Sequence, residues 1–364
     1  MNTGVLSAVQ STSTTWLENS LDTGHSGREA CSRDCGVRSR ASPFPLVRDD
    51  RTLIDSAWRL GSRWSYDVPT GMFGPGRFLV LWRQAMLKNL PVKKLVHQDL
   101  TIEGYSRAAV QTYWRIPELK LGFDLGAHPW GFMGTGTWFI SHTHLDHIAA
   151  LPVYVARRRM MKMDPPTIYM PAAAIETMER LLGCFSRLDR GRLPCQLLPV
   201  SAGDEIELSR ELVVTAVPMK HRVPTLGYCV WRRRRKLKAE YRDCTGDQIR
   251  DLRLSGTEVS EEIRTPVVAY VGDTAPQGLD ESPIMYEAQV LIAEMTFVAP
   301  DHSPDKIHKH GHMHVQDFVN RRDCFKNELV IASHFSTRYT DRQIHQYVKK
   351  ALPDMLDGRL HLWM

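Results

Sequence analysis

No stretch of this sequence approaches the roughly 18 consecutive apolar residues that a membrane-crossing helix needs, so no membrane association is expected from its 364 residues. Its seven cysteines are odd in number and scattered, and they lack zinc-finger spacing. Neither a disulfide framework nor a thiolate-held structural zinc is therefore expected. Only Cys31 and Cys35 lie close together. No segment recurs at a solenoid period. The first residues lack the basic start, apolar centre and small-residue cleavage site of a secretory signal, and Glu18, Asp22, Glu29 and Asp34 argue against an organellar presequence. The expectation is a soluble, cytoplasmic protein, with organellar targeting left open.

What is present can fill a large core: 43% of the residues are hydrophobic, enough for one catalytic domain with an appendage. A net charge of +6 and a pI near 8.9 are mildly basic and suit an anionic partner. Residues 1–50 are rich in Ser, Thr, Gly and Arg with almost no apolar periodicity, a composition that cannot offset its ordering entropy, and are expected to be disordered. Residues 51–98 form an extension of unread role, with a short helix expected over 76–90. From about residue 99 the texture changes to short apolar runs alternating with helical stretches. Strands are expected at 119–125, 137–141, 167–170, 212–217, 266–271, 290–293 and 329–333, and helices at 145–162, 173–182, 315–322 and 340–350. The pattern is α/β, with helices covering sheets.

The densest chemistry lies in Ser-His-Thr-His-Leu-Asp-His, where His142, His144, Asp146 and His147 place four metal ligands within six residues. Imidazole and carboxylate are the donors of catalytic zinc sites, which keep a position open for water. On an extended chain 142 and 144 face one side; a turn into a helix then aims Asp146 and His147 at a second point. That spacing suits two neighbouring ions. His221, Asp273 and His334 follow the expected strands at 212–217, 266–271 and 329–333 and bring the donors to seven, with Asp273 suited to bridging. A single histidine at a strand end is more often a hydrogen-bonded structural residue; the weight here comes from the set.

In these residues the chain resembles the metallo-β-lactamase superfamily and, within it, the tRNase Z family of tRNA 3′-processing endoribonucleases, closest to the short form of plants and some bacteria. The strings HTHLDH (142–147), HRVPTLGY (221–228), GDT (272–274), AEMTF (293–297), GHMH (311–314) and SHFSTRYT (333–340) occur in the family's order. The resemblance spans residues 99–364. It implies a four-layer αββα sandwich with an inserted arm. It also implies two zinc ions per subunit, or other divalent ions: His142, His144 and His221 on one, Asp146, His147 and His334 on the other, and Asp273 between. Two such ions acidify a shared water and stabilise charge on a phosphate oxygen; Asp146 has a second expected role in orienting that water. His312, in GHMH, is the expected acid for the departing ribose oxygen, with Glu294 hydrogen-bonded to it. His308 and His310 are read as bystanders, and His314 as either a substrate contact or packing beside His312. The Gly/Thr-rich loop that opens such domains is represented by Glu103-Gly104-Tyr105-Ser106-Arg107.

The run after Trp231 carries Arg232, Arg233, Arg234, Arg235, Lys236 and Lys238. Such a run is often only a solvated face. Its place between His221 and Asp273 resembles the family's arm that grips tRNA, and residues 225–266 are read as that arm, contacting phosphates without reading bases. Asp247, Asp251, Glu258, Glu261 and Glu262 share the segment and temper its charge. Precursor tRNA is the partner this implies, and the family's dimerisation admits a homodimer. The rival readings are a hydrolase of a small ester, lactone or cyclic phosphodiester, and a non-enzymatic metal- or RNA-binding module.

Overall fold

The computed structural model describes residues 90–364. The disorder expected over 1–50 falls outside them, as does the helix expected over 76–90 save its final residue. Two seven-stranded sheets form the frame. The first runs in chain order through β1 (Lys93–His97), β2 (Leu100–Arg107), β3 (Gln111–Ile116), β4 (Leu121–Phe123), β5 (Thr137–Phe139), β6 (Thr167–Pro171) and β7 (Gln196–Val200). The second runs through β8 (Glu205–Ser209), β9 (Leu212–Pro218), β10 (Leu226–Leu237), β11 (Ser260–Tyr270), β12 (Val290–Glu294), β13 (Leu329–Ser333) and β14 (Leu360–Leu362). Each sheet starts with three antiparallel pairings and ends with three parallel ones.

Alternation along the strands makes the layers. Val290 and Ile292 of β12 join Leu100 and Ile102 of β2, Trp114 of β3, Phe123 of β4 and Phe139 of β5 in one apolar core between the sheets. Leu291 and Ala293 point the other way, into a second core with Phe318, Ile344 and Val348. Helices α1 (Leu145–Ile148), α2 (Leu151–Met160) and α3 (Ile175–Leu188) contribute Ile148, Leu151, Tyr154, Val155, Met178 and Leu182 to a third core on the outer face of the first sheet. Strand residues buried on both faces read as continuous apolar runs, which is why β12 and β13 were legible. Each large side chain so enclosed contributes about 1.5–3 kcal/mol.

Several boundaries differ from those read in the sequence. The single helix expected over 145–162 is two, because Pro152 in the first turn of α2 lacks an N–H and disfavours helical continuation into it. Strand β1 precedes the boundary at residue 99. Glu103–Arg107 is not a loop but the end of β2; the turn comes after it. Strands β1, β2, β3, β7, β8, β10 and β14 had no separate expectation; in β1, β2, β7 and β8 half-exposed positions dilute the apolar signal. Helices α4 (Gly246–Leu254), α5 (Pro276–Asp280) and α6 (Pro304–Lys309) were likewise unread, whereas α7 (Val315–Asn320) and α8 (Asp341–Ala351) lie within two residues of expectation. A last short helix, α9 (Pro353–Leu356), precedes β14. Among the described residues no helix is long and apolar enough to cross a membrane.

The segment read as an arm is partly sheet. Leu226–Arg232 of β10 pairs with β9 on one side and is mostly buried. Only from Arg233 onward does β10 pair with β11 alone, Arg233 opposite Arg264 and Leu237 opposite Ser260. The projection is thus 233–264, with α4, which buries no residue, beyond the strand ends.

Candidate metal centre

His142, His221, Asp273 and His334 sit just beyond strand ends, where the backbone is free to turn toward the seam between the sheets, while His144 caps α1 and Asp146 and His147 lie within it. Gly272, after β11, has φ +59°, and a Cβ there would lie 2.6 Å from the Ser141 Cβ; only glycine lets the two chain ends approach so closely. His334, after β13, takes φ +60° without that freedom. Strain at a non-glycine residue of this kind persists where the surroundings over-determine it.

The seven donors converge. His142 Nε2 and His221 Nε2 each lie 3.1 Å from His144 Nδ1, and Asp273 Oδ2 stands 3.7 and 4.0 Å from the first two. On its other side Asp273 Oδ1 is 3.4 Å from both His147 Nε2 and His334 Nε2, and Asp146 Oδ2 is 3.8 and 3.5 Å from the same pair. Two sets able to hold a metal result, His142, His144, His221 and Asp273 in one and Asp146, His147 and His334 in the other. A third grouping joins His312 to Asp273 and His334.

The opposite ring nitrogens are held so that the converging ones are acceptors. His147 Nδ1 lies 2.7 Å from Asp124 Oδ2, His142 Nδ1 3.0 Å from Ser141 Oγ, and His334 Nδ1 3.0 Å from Thr296 Oγ1. His221 Nδ1 donates to the Gly311 carbonyl at 2.8 Å. Such outer partners set the tautomer and ring orientation of a ligating histidine. Asp273 Oδ1 is buried without a hydrogen-bond partner, an uncommon state for a carboxylate oxygen that a cation would relieve. The donor set, its convergence and this orphaned oxygen fit divalent metal.

The electrostatics are those of crowded ligands. Burial holds His142 well below the usual histidine range, with His147 adding to it; burial also lowers His144 and His221. His147 is the exception: burial opposes its charge, but Asp273, Asp124 and Asp146 raise it to about 9. Metal binding there must displace a proton. Burial likewise opposes ionisation of Asp146, yet His334 and His147 draw it down to about 2.

His312 and Glu294 lie against this cluster. Glu294, the last residue of β12, accepts from His312 Nδ1 at 3.0 Å and Thr274 N at 2.9 Å through Oε1, and from Thr296 and Met313 N through Oε2. Burial works against a charged His312, but Glu294 and then Asp273 raise it to about 9. His314 is a structural residue: its Nε2 donates to the Ala299 carbonyl and its Nδ1 accepts from Gln316 N, capping α7. His308 pairs with Asp317.

Two contributors were missed. Asp124, fully buried, accepts from Ser141 N, Ser141 Oγ and Tyr270 Oη besides His147; the signal was an acid inside the apolar run 119–125. Ala109 N, in the turn after β2, donates to Asp146 Oδ2 at 2.8 Å, and a backbone donor leaves no mark in sequence.

The six basic residues after Trp231 are not one surface. Arg232 pairs with Asp99 at 2.8 Å. Arg233 is folded against Glu207 at 2.6 Å and the carbonyls of Ser209 and Arg210, and Arg235 pairs with Glu258. Arg234, Lys236 and Lys238 have no ion pair among the described residues. Strand alternation separates Arg232, Arg234 and Lys236 from Arg233 and Arg235.

Residues 137–335 match the family model described as the β-lactamase superfamily domain. Over 270 residues the chain is 38% identical to tRNase Z TRZ1 of Arabidopsis thaliana, covering 74% of this chain and 96% of that one. The chain belongs to the tRNase Z family. Other members are the chloroplastic tRNase Z TRZ2 of Arabidopsis thaliana, 32% identical over 70% of this chain and 72% of its own, and the nuclear ribonuclease Z of Triticum aestivum, 38% identical over 47% and 97%. Like the rest of the tRNase Z family it is a metal-dependent hydrolase with the metallo-β-lactamase fold, two mixed sheets flanked by helices, and its donor cluster lies within the span of the superfamily match.

Proposed function

We propose that this protein is an endoribonuclease that removes the 3′ trailer from precursor tRNA by zinc-dependent hydrolysis of one phosphodiester, leaving a 3′-hydroxyl. The observation that carries the reading is the division of seven donors about the two oxygens of Asp273, with His312 beside them and held by Glu294. His142, His144 and His221 would hold one zinc and Asp146, His147 and His334 the other, with Asp273 available to both. Bound there, such ions would supply an acidified water and charge stabilisation for the phosphate. The chain supplies the rest. Asp124, Ser141, Gly311 and Thr296 fix the ligand rings, Asp146 orients the attacking water, and Glu294 occupies His312 Nδ1 so that Nε2 carries the proton given to the departing ribose oxygen. The projection 233–264 presents Arg234, Lys236 and Lys238 to the RNA backbone, giving affinity and register rather than sequence reading. A homodimer is part of the same proposal; sedimentation velocity decides it, and a monomer removes it.

The test is incubation of metal-loaded protein with precursor tRNA carrying a 3′ trailer. Release of the intact trailer and a tRNA ending in a 3′-hydroxyl is expected. An uncut precursor alongside rapid turnover of bis(p-nitrophenyl) phosphate would overturn the RNA assignment and leave a small-molecule hydrolase.

A further inference from the structure

Two cavities meet over the donor cluster. The larger, about 900 Å³, has His144, His221 and His312 on its floor. The smaller, about 370 Å³, reaches the same cluster from the side of Asp146 and His334. A strand laid across the cluster would pass from one to the other, and the two differ in chemistry. Arg222, Lys306 and Arg338 line the larger, whereas Arg338 is the one Arg or Lys lining the smaller. The larger also holds an aromatic wall: the half-buried Phe297 ring lies 5.1 Å from the His302 ring and 6.3 Å from that of His312. Its one wall carboxylate, Asp301, is engaged by His302 Nδ1 at 2.9 Å, and Arg338 reaches His302 Nε2 at 3.1 Å. His302 is thus held on both ring nitrogens, which fixes its ring beside Phe297 and Tyr339.

The volume is that of a small-molecule site, which spans about 300–1,000 Å³. An RNA duplex is too broad to enter, but an unpaired nucleotide fits, and unpaired bases are recognised by stacking on aromatic and histidine rings with cations on their phosphates. We propose that the larger cavity is a subsite for one unpaired nucleotide flanking the scissile phosphate. Its base lies on Phe297 and His302 and its phosphate between Arg222 and Lys306. This rests on the reading of the protein as a precursor-tRNA nuclease.

The experiment compares single-turnover cleavage of precursor tRNAs made abasic at the nucleotide just 5′ or just 3′ of the cut bond, using the full-length chain and its His302→Ala and Lys306→Ala variants. One abasic position is expected to slow the unsubstituted protein about tenfold, the size of a base–aromatic stack, and to slow His302→Ala far less. The position that shows this coupling identifies which flank occupies the cavity. Lys306→Ala is expected to slow all RNAs alike and to flatten the salt dependence by about one phosphate contact. Penalties that are absent at both positions, or unchanged in His302→Ala, overturn the subsite. A parallel readout does not need cleavage: 2-aminopurine at the same positions is expected to be quenched on binding to full-length His312→Ala and to regain fluorescence when His302→Ala is added. If the intact precursor is never cut, the nuclease reading fails on its own, and an unquenched probe at both positions still overturns the stacking subsite.

Discussion

Glu294 illustrates how much one buried side chain can organise. At 1% exposure it ties together Thr274, next to Asp273; Thr296, which faces His334; and His312. Because His312 is held by a carboxylate and not solely by its neighbours in the donor cluster, His312→Ala is expected to keep its full metal content while precursor cleavage falls about 10²–10⁴-fold, the range for loss of a general acid. Metal analysis beside a cleavage assay checks this; loss of metal would make His312 a ligand, as its grouping with Asp273 and His334 also allows. Asp124 is the test of the opposite kind. Its positive φ of 56° is one asparagine tolerates, so Asp124→Asn leaves the backbone intact but withdraws the charge that holds His147 Nδ1. Expected are a loss of about 3 kcal/mol in unfolding free energy and metal affinity weakened about 10–100-fold, read by denaturant titration and chelator competition. His312 was legible because GHMH is a contiguous string. Asp124 was hidden because its four donors come from residues 141, 147 and 270, which adjoin it only in the folded chain.

Elements differ in how openly they declare themselves. Strands β12 and β13 are apolar throughout and were placed to within a residue. β10 changes character midway, from the buried Leu226–Val230 to exposed Arg234 and Lys236, and was taken as insertion where half of it is sheet. The same strand geometry corrects the view of its charge. Substituting Gln for both Arg234 and Lys236 is expected to lower the slope of log affinity for precursor tRNA against log salt by about one to two. Arg233→Gln, which breaks contacts to Glu207, Ser209 and Arg210, is expected to leave that slope nearly unchanged and to loosen the hairpin, seen as faster amide exchange across residues 233–237 and 260–264. Equal slopes for all variants would remove the arm from RNA binding.

At the scale of the whole molecule the seam between the sheets is where buried charge collects. The seven donors come from four connections spread over nearly two hundred residues, their ligand atoms crowd together, and Asp273 Oδ1 has no hydrogen-bond partner. Metal binding and folding are therefore linked. At an ion concentration about a thousandfold above its Kd the folded state gains roughly 4 kcal/mol. Chelation should lower the thermal midpoint by on the order of 10 °C, and calorimetry with and without chelator checks it; an unchanged midpoint would mean that the site is not coupled to stability. The sequence by itself determined the donor set and the family, because four ligands lie within six covalently linked residues and the others close apolar strands. Only the tertiary structure decided the rest: which carboxylates stand behind the histidines, which arginines are already neutralised, and where a cavity opens beside the donors. Those depend on strand register and on side chains meeting across long stretches of chain, and no local pattern encodes such meetings.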